Sequence, residues 1–335
     1  MTALFSMSRV QVDLPASTGG LLALLPGSQA QLNILSDISL HIDRQETLGL
    51  IGESGSGKTT LAHAILGLSP VAAGNMRFGD TDLTKPGNFA AMRRETAMMF
   101  QDPVGSLSPR MSIGALVTEP FVIHGIKLAD RRAKAVELLA QVGLPAAIAT
   151  RYPHELSGGQ ARRVCVARAL ALKPRLVIAD EPTAGLDVSV QGEVLNLMAD
   201  LKDRLGLSFL IISHNLAMVR HVTDRIAILY LGRVVESGPT EAVFANPQHP
   251  YTASLIASEP NPDPRKQRAD LAIVGDVPSL LQRPSGCPFH TRCKHVFDRC
   301  RTERPELRTI SQGWTASCHL LDGVMATPPE PEINH

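Results

Sequence analysis

A glycine-rich turn near the start of the chain has the composition of a phosphate-binding loop. The segment GESGSGKT fits the pattern G-x-x-x-x-G-K-[ST], and its residues are Gly52, Glu53, Ser54, Gly55, Ser56, Gly57, Lys58 and Thr59, followed by Thr60. Glycines let backbone amides turn inward around phosphate oxygens, Lys58 can reach the β- and γ-phosphates, and Thr59 can bind Mg²⁺. Because the segment follows a predicted strand and opens a predicted helix, it predicts a nucleotide site.

A pair of carboxylates follows another apolar run, LVIADEP. Asp180 and Glu181 stand at the predicted carboxyl end of this strand, where ligands bind in open α/β sheets. Asp180 can hold Mg²⁺ directly or through water, and Glu181 can polarise an attacking water as general base. An Asp-Glu pair after a strand is by itself usually a solvated loop start. Together with the phosphate loop, it predicts a hydrolytic centre.

A second potential anion site lies at LSGGQARRVCVARAL, residues 156–170. Ser157, Gly158, Gly159 and Gln160 begin a predicted helix, whose amino end offers backbone N–H groups to an anion. One chain has little use for two such clusters on one γ-phosphate. Two chains packed head-to-tail can use both, since each then closes the other's site.

The elements that position these motifs alternate between β and α patterns. The buried strands are predicted at residues 47–52, 175–180 and 208–213. Between the last two, apolar residues recur at helical spacing from Val190 to Leu201, and strand, helix, strand in that order predicts a right-handed parallel unit. The segment 225–238 is typical of a hairpin that turns near Leu231.

Two other regions differ from this α/β core. Residues 105–160 are mostly helical in pattern, as an inserted helical lobe would be. After about residue 245, proline becomes frequent and periodicity fades, which is typical of a linker followed by a small, loop-rich unit. We therefore divide the chain into residues 1–245 and a C-terminal extension, 246–335, whose last ten residues are expected to form a loose tail.

Bulk composition excludes several functions. The net charge is +1 and charged residues make up 19 % of the chain, so no strong field favours nucleic acid or an anionic membrane as partner. The N-terminus lacks the pattern of a signal peptide, and no apolar run reaches the roughly 18 residues of a membrane span. We expect a cytoplasmic protein whose thiols stay reduced.

Four of the five cysteines lie in the C-terminal extension. They are Cys287, Cys293, Cys300 and Cys318. The spacing C-x₅-C-x₆-C-x₁₇-C contains no C-x₂-C pair and so differs from zinc ribbons and fingers. Thiolate ligation of a metal could stabilise a unit with little core. Four cysteines suit either a [4Fe–4S] cluster or Zn²⁺, and four unlinked thiols are the alternative.

Taken together, these motifs resemble the ATP-binding subunits of ABC transporters over roughly residues 30–245. LSGGQ matches the signature of that family, and three further residues match its other loops. Gln101 in MFQDP matches the glutamine loop near Mg²⁺ and water, Asp187 in AGLD matches a loop at the dimer interface, and His214 in IISHN matches the switch histidine. The resemblance implies catalytic roles for Glu181, His214 and Gln101, and Mg²⁺ ligation by Thr59, Gln101 and Asp180.

The fold that the resemblance implies is a P-loop NTPase of the RecA-like α/β class, with an antiparallel β subdomain, an inserted helical subdomain and a small C-terminal domain. Family members usually stack adenine on an aromatic residue before the phosphate loop. This chain has no aromatic residue between Phe5 and Phe78. The matching position falls near Leu14, which predicts weak selectivity for the base.

The C-terminal extension resembles that of the oligopeptide, dipeptide and nickel importer ATPases. The matching segments are HPYTASLIAS, VPS and SGCPFHTRCKHVFDRC, and residues 16–40 resemble a longer loop found in one ATPase type of that subfamily. Some members bind an iron–sulfur cluster through four cysteines, so ATP, Mg²⁺ and a [4Fe–4S] cluster, or alternatively Zn²⁺, are the implied cofactors.

The implied function is ATP hydrolysis that drives import of a small solute, most simply di- or oligopeptides. The implied partners are a second ATP-binding subunit, identical or related, two transmembrane permease subunits, and an extracytoplasmic solute-binding protein, at the cytoplasmic face of the membrane. The alternative is a cytosolic ABC-type ATPase in assembly, lyase or DNA-repair work. Only about 120 residues separate Lys58 from Asp180, too few for the coiled-coil arm of a DNA-repair ATPase.

Overall fold

The computed structural model describes residues 3–15, 31–102, 105–259, 273 and 275–322. Three predicted segments lie wholly or partly outside the described residues, namely residues 16–30 of the N-terminal insertion at 16–40, the proline-rich stretch at 260–272 and the tail at 326–335. Among the helices described, none combines the length and apolar character that crossing a membrane requires.

The described residues form two sheets with helices packed around them. The strands are β1 (Phe5–Pro15), β2 (Gln31–Ile42), β3 (Thr47–Ile51), β4 (Ala73–Phe78), β5 (Thr81–Asp82), β6 (Thr96–Met99), β7 (Leu176–Asp180), β8 (Ser208–Ser213), β9 (Arg225–Tyr230), β10 (Arg233–Pro239), β11 (Arg308–Ser311) and β12 (Trp314–Ala316). The helices are α1 (Lys58–Ile65), α2 (Asn88–Met92), α3 (Ile113–Ile123), α4 (Arg131–Gln141), α5 (Gly158–Leu170), α6 (Val188–Leu205), α7 (Leu216–Val222), α8 (Thr240–Ala245), α9 (Pro250–Ala257) and α10 (Asp298–Thr302).

The larger sheet has the strand order β11-β12-β10-β9-β3-β8-β7-β6. Strands β9, β3, β8, β7 and β6 pair in parallel. Every residue of β3, β7 and β8 is buried, which explains their unbroken apolar sequences. The predicted strands and the 225–238 hairpin are therefore confirmed. The carboxyl ends of β3, β7 and β8 lie along one edge of the sheet, and each is followed by a predicted site residue.

The smaller sheet is antiparallel, with the strand order β2-β1-β4-β5. Its apolar side chains pack with α1 against one face of the larger sheet, and Leu50 and Ile212 belong to this core. The opposite face, with Ile51 and Ile211, packs against the helices that follow β6 and β7. The larger sheet is thus covered on both faces, and the P-loop NTPase fold expected from the motifs is present.

Residues 105–160 contain two helices and two 3₁₀ segments, Ala146–Thr150 and Pro153–Glu155, as the helical pattern predicted. Helix α3 begins at Ser112, whose hydroxyl accepts a hydrogen bond from the Ala115 amide. Apolar side chains of α3, α4 and α5 share the large core. This packing carries the SGGQ segment at the start of α5.

The C-terminal extension is joined to the ATPase core through the sheet. Strand β12 pairs antiparallel with β10, bringing Glu236 opposite Ala316, and β11 then pairs with β12. The Trp314 indole donates a hydrogen bond of 3.0 Å to the buried Glu236 carboxylate. The sequence predicted only loops in this region, because these strands are just four and three residues long.

Candidate nucleotide-binding site

The phosphate loop connects the end of β3 to the start of α1. A side chain at Gly52 would place its Cβ 2.2 Å from the Leu229 carbonyl oxygen, so only glycine fits there. Gly57 has a φ of 103° and forms the N-cap of α1, a conformation that side chains disfavour. These two glycines let the chain turn sharply so that the amino end of α1 faces the cavity.

Lys58 connects the two ends of this loop. Its ammonium donates hydrogen bonds of 2.7 Å to the Gly52 carbonyl and 2.9 Å to the Glu53 carbonyl. Burial lowers the pKa of Lys58, while nearby carboxylates, Glu181 first, oppose that shift. The lysine is therefore held over the centre of the loop, where a charged phosphate would further stabilise its protonated form.

Thr59 and Asp180 meet beside the loop. The Thr59 hydroxyl donates a 3.0 Å hydrogen bond to the Asp180 carboxylate. Burial raises the pKa of Asp180, and the bond from Thr59 opposes this shift. A hydroxyl and a carboxylate fit Mg²⁺, which takes few protein ligands and completes its shell with phosphate oxygens and water. These two side chains would hold the ion.

Glu181 and His214 form a pair next to Asp180. The His214 Nδ1 lies 2.6 Å from a Glu181 carboxylate oxygen. Glu181 is buried and has a φ of +50°, which is unusual for a residue with a side chain. Its amide donates a 2.9 Å hydrogen bond to the Ile212 carbonyl of β8. This backbone turn places the Glu181 carboxylate just beyond the carboxyl end of β7.

Arg162 supports the same turn from α5. This arginine is 4 % exposed and donates hydrogen bonds to the carbonyls of Pro182 and, at 2.8 Å, Ala184. Burial is the main cause that lowers the pKa of Arg162. The helix that begins with the SGGQ segment is thus tied to the loop that carries Glu181.

One cavity of about 680 Å³ unites most of the predicted residues, a volume within the usual range for ligand sites. Its lining consists of Ile34, Ser54, Gly55, Gly57, Lys58, Thr59, Thr60, Gln101, Asp180, Glu181, His214 and Leu280. Leu14, the position matched to the adenine-stacking residue, does not line it and packs against the smaller sheet's core instead. The apolar wall comes from Ile34 and Leu280.

The SGGQ segment and Asp187 lie outside this cavity. Ser157 is the N-cap of α5 and forms a capping box with Gln160, in which each side chain accepts a hydrogen bond from the other residue's amide. Ser157, Gly158 and Asp187 are exposed. Within one chain, these residues form a second surface, separate from the phosphate loop.

The C-terminal extension contacts the phosphate loop at Glu53. Arg292 donates two hydrogen bonds, of 2.6 and 2.9 Å, to the Glu53 carboxylate. The Tyr251 hydroxyl accepts a 3.1 Å hydrogen bond from the Glu53 amide. The rings of Tyr230, Tyr251 and Phe289 pack around this contact with centroids 4.6 to 5.3 Å apart. The loop is therefore held by a buried aromatic and ionic cluster.

The four cysteines of the extension line one small space together with Phe289 and neighbouring histidines. They are free thiols, and three of them, Cys287, Cys300 and Cys318, are each 8 % exposed. Burial raises the pKa of Cys287 to about 11 and that of Cys318 to about 12. No group of three or more His, Cys, Asp or Glu side chains that could hold a metal ion occurs in the described parts of the chain.

Comparison with known proteins identifies the family. Residues 35–184 match the ABC transporter family, and residues 235–300 match the oligopeptide/dipeptide transporter C-terminal region. A peptide ABC transporter ATP-binding protein of Sinorhizobium fredii is 45 % identical over 291 residues, which cover 85 % of this chain and 82 % of that protein. This chain belongs to the ATP-binding subunits of peptide ABC transporters. Members of this family are ATPases that couple hydrolysis to transport, which favours transport over the assembly, lyase and DNA-repair alternatives.

A further sequence relative and two solved structures support this family assignment. A peptide import ATP-binding protein of Brucella ovis is 45 % identical over 292 residues, covering 86 % of this chain and 92 % of the relative. The ATP-binding cassette MJ0796, solved as a dimer bound to ADP and Pi, aligns with a TM-score of 0.61 at 25 % identity, covering 70 % of this chain and 98 % of that one. CbiO1 from Clostridium perfringens, part of a cbiONQ transporter complex, gives 0.62 at 25 % identity, covering 76 % and 96 %.

Several residues of this ABC subunit's site, among them Arg162, Leu280 and Arg292, were absent from the sequence predictions. Arg162 follows the SGGQ segment on a helix, where an arginine is usually a solvated side chain. Leu280 and Arg292 lie in the loop-rich extension, more than 220 residues after the phosphate loop. No local pattern marks a contact at that separation. The cysteine spacing and the resemblance of the VPS and SGCPFHTRC segments to transporter sequences singled out this part of the chain, but neither marked these contacts.

Proposed function

We propose that this chain powers import of peptides by hydrolysing ATP in the cavity described above. The observation that carries the proposal is the convergence of the phosphate loop, Asp180, Glu181, Gln101 and His214 on that one space. The relatives from Sinorhizobium and Brucella are named for peptide transport and peptide import, which supports peptides as the cargo class.

The site residues then have distinct roles. The amides of residues 52–60 and the Lys58 ammonium bind the phosphates, while Thr59, Asp180 and Gln101 hold Mg²⁺, which would neutralise phosphate charge when bound. Glu181 accepts a proton from the attacking water. His214 orients the Glu181 carboxylate through their 2.6 Å contact, and as a lining residue of the cavity it is available to a γ-phosphate.

A second ATP-binding subunit completes the site. Ser157, Gly158 and Asp187 are exposed, and the SGGQ segment does not line its own chain's cavity, which leaves the amino end of α5 available to a neighbour. The dimeric form of the MJ0796 cassette supports a paired arrangement. We propose that each chain's SGGQ segment closes on the γ-phosphate held by the partner, whether that partner is identical or related.

The permease would dock beside α3. A groove between β6 and the helical insertion is lined by Phe100, Pro120 and Cys165 among others. Next to it, the large apolar side chains of Phe100, Val122 and Ile123 are 51 to 68 % exposed. This apolar surface, adjacent to Gln101, supports docking of a transmembrane subunit, and we propose that two such subunits hold a pair of ATP-binding chains at the cytoplasmic membrane face. An extracytoplasmic binding protein would deliver peptide to those subunits.

The cysteine unit is proposed to bind a [4Fe–4S] cluster. Four buried or half-buried thiols around one space provide a Cys₄ donor set, which would hold such a cluster. A zinc ion would require all four sulfurs at about 2.3 Å from one point. The resemblance of this extension to importer ATPases that bind an iron–sulfur cluster through four cysteines is what favours the cluster over Zn²⁺.

Anaerobic purification tests the cluster. The full chain should be brown and contain iron and acid-labile sulfide, both of which Cys300→Ser should lose and Cys165→Ser should keep. Cys165 is a suitable control because it lies on α5, outside the cysteine unit. Stoichiometric zinc without iron would overturn the cluster proposal and leave the ATPase proposal intact.

The ATPase proposal is tested with Glu181→Gln in membranes that contain the assembled transporter. ATP binding should persist, while hydrolysis and peptide uptake should fall at least 100-fold, since general-base catalysis contributes about 10²- to 10⁴-fold. Glu193→Gln is the matched control, because Glu193 is an exposed glutamate paired with Arg163 on the surface. Retained hydrolysis in Glu181→Gln would show that another base is used. Failure of the chain to co-purify with two membrane proteins would argue against transport.

A further inference from the structure

The nucleotide cavity has an apolar wall built from two distant parts of the chain. Ile34 lies in β2, and Leu280 begins the 3₁₀ segment Leu280–Gln282 of the C-terminal extension. The other residues that line the cavity are glycine, or carry hydroxyl, amide, ammonium, carboxylate or imidazole groups. Ile34 and Leu280 are therefore the two fully aliphatic side chains that this cavity offers to an apolar part of a ligand.

Ile34 adjoins the phosphate end of the cavity. A Cβ built at Gly57 would lie 3.7 Å from the Ile34 Cγ2, so Ile34 sits beside the residue that caps α1. Ile34 is 9 % exposed and belongs to the core of the smaller sheet, which fixes its position. A group attached to phosphates bound at α1 can therefore contact this side chain.

Leu280 is fixed on β2 by an arginine three residues later. Arg283 donates hydrogen bonds of 2.8 Å to the Asn33 side-chain oxygen, 2.6 Å to the Asn33 carbonyl and 2.9 Å to the Ile34 carbonyl. The Ser279 hydroxyl accepts a 3.1 Å hydrogen bond from the Leu281 amide. The turn that presents Leu280 is thus hydrogen-bonded to the backbone of Ile34, the other residue of the apolar wall.

We infer that Leu280 and Ile34 form the contact surface for the nucleotide base, with Leu280 contributed by the C-terminal extension. This inference rests on the proposed nucleotide site and adds which residues bind the base. Aliphatic side chains cover the face of a purine through dispersion and desolvation, and they offer no hydrogen bond to its edge. Adenine and guanine nucleotides therefore gain the same stabilisation from Leu280.

The test compares binding of MgATP, MgGTP and inorganic tripolyphosphate to the full-length chain by calorimetry. Leu280→Ala should raise the Kd of both nucleotides about fivefold to tenfold, equal to about 1 to 1.4 kcal/mol, and leave the Kd of tripolyphosphate within twofold. Leu281→Ala is the matched control, because that neighbouring leucine is 70 % exposed and does not line the cavity. It should leave all three values unchanged.

A second substitution covers the possibility that Leu280→Ala disturbs the turn. Leu280→Phe should tighten both nucleotides several-fold and leave tripolyphosphate unchanged, because aromatic stacking on a base is stronger than aliphatic contact. An unchanged ATP Kd in Leu280→Ala, or an equal loss for tripolyphosphate, would overturn the inference. Lys58→Ala separates the two proposals: if it fails to weaken tripolyphosphate, the nucleotide site itself is wrong.

Discussion

Replacing Arg292 by methionine is expected to loosen both the C-terminal extension and the phosphate loop. The Arg292 side chain is 5 % exposed and that of its partner Glu53 is 23 % exposed. Methionine retains most of the arginine's apolar volume and removes the two hydrogen bonds to the carboxylate. The variant therefore leaves a mostly buried negative charge without its main partner.

The expected loss of stability follows from how deeply Arg292 and Glu53 are buried. Removing one member of a fully buried ion pair costs about 3–5 kcal/mol, whereas an exposed pair contributes about 0–1 kcal/mol. Since Glu53 keeps some contact with water, we expect a loss of about 2 kcal/mol in the free energy of unfolding. The Tyr251 hydroxyl still holds the Glu53 amide. We therefore expect ATP affinity to fall only about threefold to tenfold.

Urea unfolding followed by tryptophan fluorescence measures this effect directly. Trp314 is the chain's single tryptophan, and it lies in the C-terminal extension. The variants Arg292→Met, Glu53→Gln and the double substitution form a cycle whose coupling energy should be about 1.5 kcal/mol. Arg220→Met is the control, because Arg220 makes an equally bidentate contact with Glu241 in which both side chains are more than half exposed. A coupling below about 0.3 kcal/mol would refute the reasoning.

Two further substitutions test the contact between Glu236 and Trp314 and the role of Ser157 at the start of α5. Glu236→Gln should lower the free energy of unfolding by about 2 kcal/mol in the same urea assay, because its NH₂ group would face N–H groups of Trp314 and the backbone that now donate hydrogen bonds to the carboxylate. The conservative Glu236→Asp should recover part of this loss. A Glu236→Gln variant as stable as wild type would contradict the expectation. Ser157→Ala should cost about 1 kcal/mol through loss of the α5 cap. When one chain carries both Ser157→Ala and Glu181→Gln and its partner is wild type, hydrolysis should also be abolished at the partner's site, which keeps its own Glu181; unchanged turnover there would exclude contact across the dimer.

Local patterns were sufficient to predict much of the fold and many of the residues that converge in the cavity. Asp180 follows an unbroken apolar run, and such a run is fully buried only in a parallel sheet covered on both faces. Because the carboxyl ends of parallel strands share an edge, Lys58, Asp180 and His214 had to lie near one another once their strands were assigned. Their catalytic roles are proposals that the variants above address.

The contacts made by the C-terminal extension could not be predicted in this way. Leu280 reaches Ile34 and Arg292 reaches Glu53 across more than 230 residues of sequence. Neither contact leaves a periodic or spacing signal, because each depends on how a loop with little regular structure packs on the core. Leu14, the position expected to contact adenine, does not line the cavity, and register along β1 does not reveal what another segment brings to it.

The pairing of β12 with β10 has a consequence for how this protein can be shortened. With β11 and β12 removed, β10 would present unpaired backbone donors and acceptors along an open margin, next to an indole pocket emptied of Trp314. Such a margin readily recruits strands from other molecules. The β11–β12 hairpin thus protects β10 from pairing with strands of other molecules. A chain truncated at residue 300, where the transporter C-terminal match stops, should therefore precipitate rather than remain as a soluble ATPase.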